Sequence, residues 1–377
     1  MPRFGLDLPD YPWDQMEPYR AKAQAHTDGL VNLSIGTPVD PTPEVIRAAL
    51  AEAADAHGYP TTHGTAEVRE AIVNWFARRR NVPGLDTAQV MPTVGSKELV
   101  AWLPFLLGLG QGDVVVRPRV AYPTYDIGAR LAGAEHVAAD SLDELDAATR
   151  ARVKLVWVNS PGNPTGQVRD IASLRRLVEQ ARDLGAAVAS DECYAELGWG
   201  EWDAARGGEA VPSILDPRVT GGSNELLFAA YSLSKQSNLA GYRAAFLAGD
   251  EKIMPNLVNS RKHAGMIVAA PVQSAMVAAL NDDEHVSAQK DRYRARRELL
   301  LPAVEKFGLK IEGSEAGLYL WATAGEDTWT TVERFAQRGI LIGPGVFYGD
   351  EGAGYVRIAL TGSDADIAAA AQRLSSE

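Results

Sequence analysis

Between about residue 90 and residue 250, short apolar runs alternate with helical patterns, and no other feature narrows the possible folds as much. The runs are VVV at 114–116, VKLVWV at 153–158, AAVAS at 186–190, LLFAAYS at 226–232 and AAFLAG at 244–249. Each is bounded by Gly, Pro, Asn or Asp and lacks alternating polar positions, as expected of strands covered on both faces. Between two of them Ile171, Leu174, Leu177, Val178, Ala181 and Leu184 recur at helical spacing and Gly185 follows as a C-cap, which predicts an amphipathic crossover helix over 171–184. Strand–helix–strand repetition implies an α/β fold with a mainly parallel sheet between helices. Ahead of it, Thr42 as N-cap, Pro43 at the first helical position and Glu44 in the first turn predict a helix start. After Pro271 a charged helical stretch (DRYRARRELL) and the alternating segments GLYLWAT and YVRIAL predict a smaller α+β domain. A chain of 377 residues has room for two domains. The expected division is an N-terminal arm or small-domain segment over 1–42, a large domain over 43–265 and a small C-terminal domain over 266–377. The arm carries Pro9, Tyr11, Pro12, Trp13, Pro18 and Tyr19 and is expected to lie against another part of the molecule.

Composition removes several function classes. Hydrophobic residues make up 46% and charged residues 23%, the balance of a globular chain. The formal net charge of −12 disfavours nucleic acid and anionic lipid as main partners. Cys193 is the sole cysteine, so no intramolecular disulfide and no multi-thiolate zinc site can form, and no metal site is expected. The opening MPRFGLDLPDYPWD, with Asp7, Asp10 and Asp14, has no apolar run of the kind a signal peptide needs. The greasiest stretch, Leu99 to Leu109, is interrupted by Pro104 and Gly108 and is too short for a bilayer. A soluble, cytoplasmic protein is expected.

Ligands of α/β sheets bind at the carboxyl ends of the strands. VKLVWV is followed by NSPGNPTG, with Asn159, Asn163, Pro164 and Gly166. AAVAS is followed by Asp191 and then Tyr194; LLFAAYS ends in Ser232 and leads to Ser234, Lys235 and, further on, Arg243. TVGSKEL brings Ser96 and Lys97 to a helix start, and RPRVAYPTY brings Tyr122 and Tyr125. Singly each has an ordinary explanation. A lysine after a strand is usually solvated, Asn-Pro-Thr-Gly is a good turn, an aspartate ending a strand caps a helix, and Gly-Ser-Lys lacks the rest of a phosphate-binding P-loop.

Together, in order and spacing, these segments resemble the class I/II aminotransferases, pyridoxal-phosphate enzymes of the aspartate aminotransferase fold (fold type I), from about Asn32 to Arg357. The resemblance implies that Lys235 bonds the cofactor aldehyde and then moves the substrate proton, with burial favouring the neutral amine. It implies that Asp191 pairs with the pyridine nitrogen, and that Tyr194 and Asn163 address the ring's phenolic oxygen. Ser232, Ser234, Arg243 and the amides of Ser96 and Lys97 would hold the phosphate. Tyr122 would stack on the ring, with Tyr125 the alternative. Tyr59, in HGYPTTHGT, would cross a homodimer interface to the neighbour's phosphate. Arg357, in YVRIAL, would grip the substrate α-carboxylate, and Gly36, in LSIGTPVDPTP, would belong to the segment over the substrate. Cys193 is read as structural, pointing away from Asp191 and Tyr194.

No second arginine matching a distal-carboxylate reader is evident, and Tyr319 in GLYLW stands where many relatives carry a smaller or less polar residue. Within the family, VNLSIGTPVDPTPEVIRAAL, GYPTTHGTAEVREAI and VRPRVAYPTY are most similar to actinobacterial N-succinyldiaminopimelate aminotransferases. That implies transfer of the amino group of glutamate to N-succinyl-2-amino-6-ketopimelate, in diaminopimelate and lysine biosynthesis, by two half-reactions on one site. Polar or cationic residues away from Lys235 are then expected to read the distal end, with Lys97, Arg119 and Tyr319 as candidates. Rival expectations are a broad-range aminotransferase or a carbon–sulfur lyase on the same scaffold. A regulator built on it is disfavoured because the first forty residues show no helix-turn-helix pattern or basic patch.

Overall fold

The structure is a computed structural model describing residues 6, 8–10 and 12–376; Asp7 and Tyr11 lie outside the described residues. The described N-terminal segment forms a 3-10 turn at Pro12–Met16, a helix at Glu17–Gln24 and a strand β1 at Val31–Leu33. The chain then builds a seven-stranded sheet from β2 (Val90–Val94), β3 (Val114–Arg117), β4 (Glu135–Ala138), β5 (Val153–Asn159), β6 (Ala187–Asp191), β7 (Leu227–Ser232) and β8 (Ala244–Gly249). Their order is β2-β8-β7-β6-β5-β3-β4. Neighbours from β7 through β4 run parallel, whereas β8 is antiparallel to both β7 and β2. The connection from β7 to β8, residues 233–243, holds the short helix Leu233–Gln236 and a 3-10 turn at Ala240–Tyr242 and is too short for a parallel crossover, so the chain must double back.

All five apolar runs are strands of this sheet, and the crossover helix spans Ile171–Asp183, with Gly185 at φ +62° after it. Its N-cap is Asp170, whose carboxylate accepts from the Ser173 amide. Two strands carry no such run. β2 contains Pro92, tolerated because β2 is an edge strand, and β4 is an edge strand that is only partly buried. The helix expected to start at Pro43 begins one residue later, at Glu44–Glu52, with Pro43 at the cap position. Thr42 does not cap it; its hydroxyl donates to the Asn238 carbonyl at 3.1 Å instead.

A second sheet gathers β1 with β9 (Lys310–Ile311), β10 (Tyr319–Thr323), β11 (Ile340–Pro344) and β12 (Val356–Ala359), in the order β1-β11-β12-β10-β9. β1 pairs parallel with β11, and the other pairs are antiparallel. The N-terminal segment therefore closes a sheet made at the other end of the chain. Two hydrophobic layers cover the large sheet; one includes Trp75, Phe76, Tyr231 and Phe246, the other Leu99, Leu103, Trp157 and Leu247. A third core, with Leu33, Leu320, Phe335, Ile342 and Ile358, backs the second sheet. The helix Ala270–Asn281, beyond the expected boundary at 265/266, packs Ala275, Met276, Ala279 and Leu280 into the large sheet's core, against the helices Glu44–Glu52 and Ala66–Arg79. Among the described residues no helix is long and apolar enough to cross a membrane, and no group of His, Cys, Asp and Glu could hold a metal ion.

Candidate active site

The carboxyl ends of β5, β6 and β7 open into a cavity of about 930 Å³ that also reaches the second sheet and the N-terminal segment. Asn159 and Asp191 are register partners at the ends of β5 and β6. Asn159 accepts from the Asn163 amide at 2.7 Å and donates to the Asp191 carbonyl at 3.1 Å, so the loop carrying Asn163 is tied to the strand carrying Asp191. The Asp191 carboxylate is buried and accepts from the Tyr125 hydroxyl on Oδ2 at 2.9 Å and from the Cys193 amide on Oδ1 at 3.2 Å, with the Cys193 thiol a further donor. Burial nevertheless pushes its pKa up, because the hydrogen bonds from Cys193 and Tyr125 do not offset the lost hydration. A cation set against this carboxylate would relieve that cost.

Lys235 leaves the end of the short helix Leu233–Gln236 and donates from Nζ to the Gly36 carbonyl. Burial lowers its pKa, favouring the neutral, nucleophilic amine. Arg357, on β12, is buried. Its guanidinium donates through Nη1 to Asn163 Oδ1 at 3.0 Å and through Nη2 to the Ser34 carbonyl at 2.8 Å, while Nε is buried with no partner. A cation buried with an unused donor is a built receptor for a carboxylate. Three rings box it in, with the guanidinium carbon 4.0 Å from the centre of Tyr319, 5.0 Å from Tyr348 and 5.7 Å from Trp13.

A separate corner suits a phosphate. Gly95 caps the helix Ser96–Leu106 at φ +80°, which presents the helix N-terminus to the cavity. A Cβ at Gly95 would lie 2.2 Å from Arg243 Nη2, so only glycine lets that guanidinium in. Ser232 and Ser234, hydroxyl to hydroxyl at 2.9 Å, line the same wall. Hydroxyls, a guanidinium and a helix N-terminus at one end, a carboxylate in the floor and an amine between them match a phosphorylated pyridine aldehyde in charge and donor type.

The structure thus brings Gly36, Ser96, Lys97, Tyr122, Asn163, Asp191, Tyr194, Ser232, Ser234, Lys235, Arg243, Tyr319 and Arg357 to one cavity. Tyr122 lines it, whereas Tyr125 is fully buried and spends its hydroxyl on Asp191. Tyr59 is not part of the cavity wall in this chain and stands fully exposed, at 102%. Two expectations need correction. Arg119 does not face the cavity; it is a surface residue paired with Glu144 at 2.5 Å and Glu351 at 3.5 Å. Cys193 does not point away from the site. β6 stops at Asp191, so strand alternation no longer applies, and Cys193 lines the cavity with its thiol pushed up by burial and by Asp191.

Several lining residues carry no signal in the sequence. Trp13, Met16 and Arg20 come from the N-terminal segment, and Trp329 and Phe347 from the second sheet's connections. Phe347 sits edge-on to Trp13 at 5.2 Å and to Trp329 at 5.6 Å, making an aromatic wall beyond Arg357. Only the prolines and aromatics of residues 9–19 hinted at a covering role.

Comparison with known proteins gives a consistent picture. The family model for aminotransferase class I and II matches residues 28–374. A 4-dedimethylamino-4-oxo-anhydrotetracycline transaminase, OxyQ, from Streptomyces rimosus is 53% identical over 98% of this chain and 99% of its own. The probable aminotransferase Rv1178 of Mycobacterium tuberculosis is 52% identical over 98% of this chain and 85% of its own. Among solved structures, a probable N-succinyldiaminopimelate aminotransferase from Thermus thermophilus superposes with a TM-score of 0.84 at 30% identity, covering 96% of this chain and 99% of that one.

Proposed function

This chain belongs to the class I and II aminotransferases and is a pyridoxal-phosphate-dependent transaminase, and on that premise we propose that it moves the amino group of L-glutamate to N-succinyl-2-amino-6-ketopimelate. The observation that carries this choice is that the cavity holding Arg357 is also lined by Arg20, a cation from the N-terminal segment. Lys235, Arg243 and Arg357 are each committed near the cofactor or the α-carboxylate, and the Lys97 ammonium lies over the Tyr122 ring, 5.9 Å from its centre. Arg20, on the helix Glu17–Gln24, is one-third exposed at 33%, and its ion pair with Glu17 is stretched to 3.8 Å. A long acceptor held at one end by Arg357 would present its far carboxylate to that guanidinium. Likeness to the Thermus thermophilus enzyme supports the same choice.

Pyridoxal phosphate, when bound, supplies an aldehyde that takes up the amino group and a ring that draws off the electron pair left at the substrate α-carbon. Each task of the chain follows from its place in the cavity. Arg357 orients the α-carboxylate through a two-pronged contact that uses its spare Nε. Asp191 would meet the pyridine nitrogen and keep it protonated. Asn163 and Tyr194 would address the ring's phenolic oxygen, and Tyr122, which lines the same cavity, would lie on the ring face. Arg243, Ser232, Ser234 and the amides of Ser96 and Lys97 would hold the phosphate. Lys235 Nζ, whose neutral form is favoured by burial, would take the proton from the substrate α-carbon. In this reading the enzyme is a cytoplasmic homodimer, and the bare exposure of Tyr59 fits a side chain that serves the neighbouring subunit.

Incubating purified holoenzyme with glutamate and either the succinylated acceptor or short keto acids tests the choice; turnover of the short acids with none of the succinylated one rejects it. Arg20→Gln is expected to raise KM for the succinylated acceptor ~5-fold with kcat nearly unchanged, the worth of a charge-assisted contact discounted for its exposure. Steady-state kinetics on both acceptor types checks this, and an equal effect on a short monocarboxylic keto acid would remove Arg20 from the distal end. A second reading is favoured by the wall of Trp13, Trp329 and Phe347 and by the 53% identity to OxyQ: a bulky ring ketone as acceptor. The same assay with a fused-ring ketone separates the two.

A further inference from the structure

We propose that the Tyr319 hydroxyl is a positioning group: it holds the phenol of Tyr194 toward the cofactor ring while its own ring carries the Arg357 guanidinium. One side chain would then tie the residue that faces the cofactor to the residue that faces the substrate carboxylate. The proposal rests on the aminotransferase reading above, in which Tyr194 addresses the ring's phenolic oxygen.

Tyr319 opens β10, and Arg357 stands on the adjacent strand β12. The two phenol oxygens of Tyr194 and Tyr319 are 3.1 Å apart, and their rings meet edge to face at 5.7 Å. Tyr319 is the ring nearest the guanidinium carbon of Arg357, at 4.0 Å. The main chain has made room for this oxygen. A Cβ placed at Gly36 would lie 1.8 Å from it, so the N-terminal segment passes over the site only because residue 36 has no side chain. The ring carbon Cζ would also lie 2.7 Å from that Cβ, so the glycine accommodates ring and oxygen together, and it is the oxygen alone that reaches Tyr194.

The direction of the hydrogen bond follows from the role given to Tyr194. Lys235, Arg357, Tyr194, Tyr122 and Tyr293 are the charged or titratable groups that act on Tyr319. Burial opposes ionisation of its phenol, but the charges of Arg357 and Lys235 outweigh burial and hold it below its ordinary value. Burial, reinforced by Tyr319, pushes Tyr194 well above its own. Either oxygen can donate across the 3.1 Å contact, but a phenol has one proton, so when Tyr194 donates to the ring's phenolic oxygen the contact between the two tyrosines must be donated by Tyr319. A Tyr194 hydroxyl that accepts in this way is a stronger donor than an isolated phenol.

Tyr319→Phe keeps the ring and removes the oxygen. The readout is the pH titration of the bound cofactor's visible band in holoenzyme, which a filler ring would not move. The midpoint is expected to rise by ~0.7 unit, the equivalent of one neutral hydrogen bond. In a Tyr194→Phe background the same change is expected to add less than ~0.2 unit, because the hydroxyl acts through Tyr194. The proposal is overturned if Tyr194→Phe moves the midpoint and Tyr319→Phe does not, or if Tyr319→Phe moves it equally with and without the Tyr194 hydroxyl. If Tyr194→Phe alone leaves the midpoint in place, the role given to Tyr194 fails and this proposal falls with it.

Discussion

Lys235→Ala is expected to lower transamination at least ~10³-fold while the protein still takes up cofactor, since a positioned general acid–base alone contributes ~10²–10⁴. The amine leaves a short helix at the end of β7, is buried, and is held by a main-chain carbonyl rather than by a carboxylate. Burial lowers its pKa against the smaller opposing pull of Tyr319 and Cys193, and a readily neutralised amine is what a nucleophile and proton carrier requires. The groups assigned to phosphate and ring nitrogen lie elsewhere in the cavity, so cofactor retention depends on Arg243, the serines and Asp191 rather than on Lys235. Absorbance after gel filtration measures retention, and single-turnover formation of 2-oxoglutarate from glutamate measures the chemistry. A near-native rate in the variant would show that another base does the work.

Arg357→Lys is expected to lower kcat/KM for every amino and keto acid by ~10²–10³, chiefly through KM, with ~3–4 kcal/mol at stake when a two-pronged buried contact becomes a single one. An ammonium cannot serve Asn163 Oδ1, the Ser34 carbonyl and a carboxylate in the same plane, nor lie flat on the Tyr319 ring at 4.0 Å. Because the α-carboxylate is common to donor and acceptor, both half-reactions should suffer alike. A loss confined to one substrate would instead assign Arg357 to a side-chain carboxylate.

Legibility in the sequence followed burial. Strands covered on both faces, such as β5 and β7, are continuous apolar runs and can be read directly, whereas β2, with Pro92 at a sheet edge, and the half-covered β4 cannot. Residues at strand ends have fixed spacing from those runs, which is why Asn163, Asp191, Tyr194, Lys235 and Arg243 could be picked out before any coordinates and are found around one cavity. Trp13 and Arg20 could not, because their place depends on β1 pairing with β11, a contact between chain ends that no local pattern announces. Arg119 looked available as a free cation beside Tyr122, but its acidic partners, Glu144 and Glu351, come from distant segments. Strand alternation does not reach Cys193, because β6 ends at Asp191.

The backbone that passes over the cavity from β1 has an effect that mutagenesis will tend to hide. The carbonyls of Ser34 and Gly36 accept hydrogen bonds from Arg357 and Lys235, so the two cations assigned to substrate and cofactor are steered by oxygens that every amino acid possesses. An alanine scan leaves both oxygens in place and would report this stretch as inert apart from steric trouble at Gly36. Amide-to-ester replacement would weaken such acceptors, and could expose as functional a segment that side-chain surveys pass over in silence.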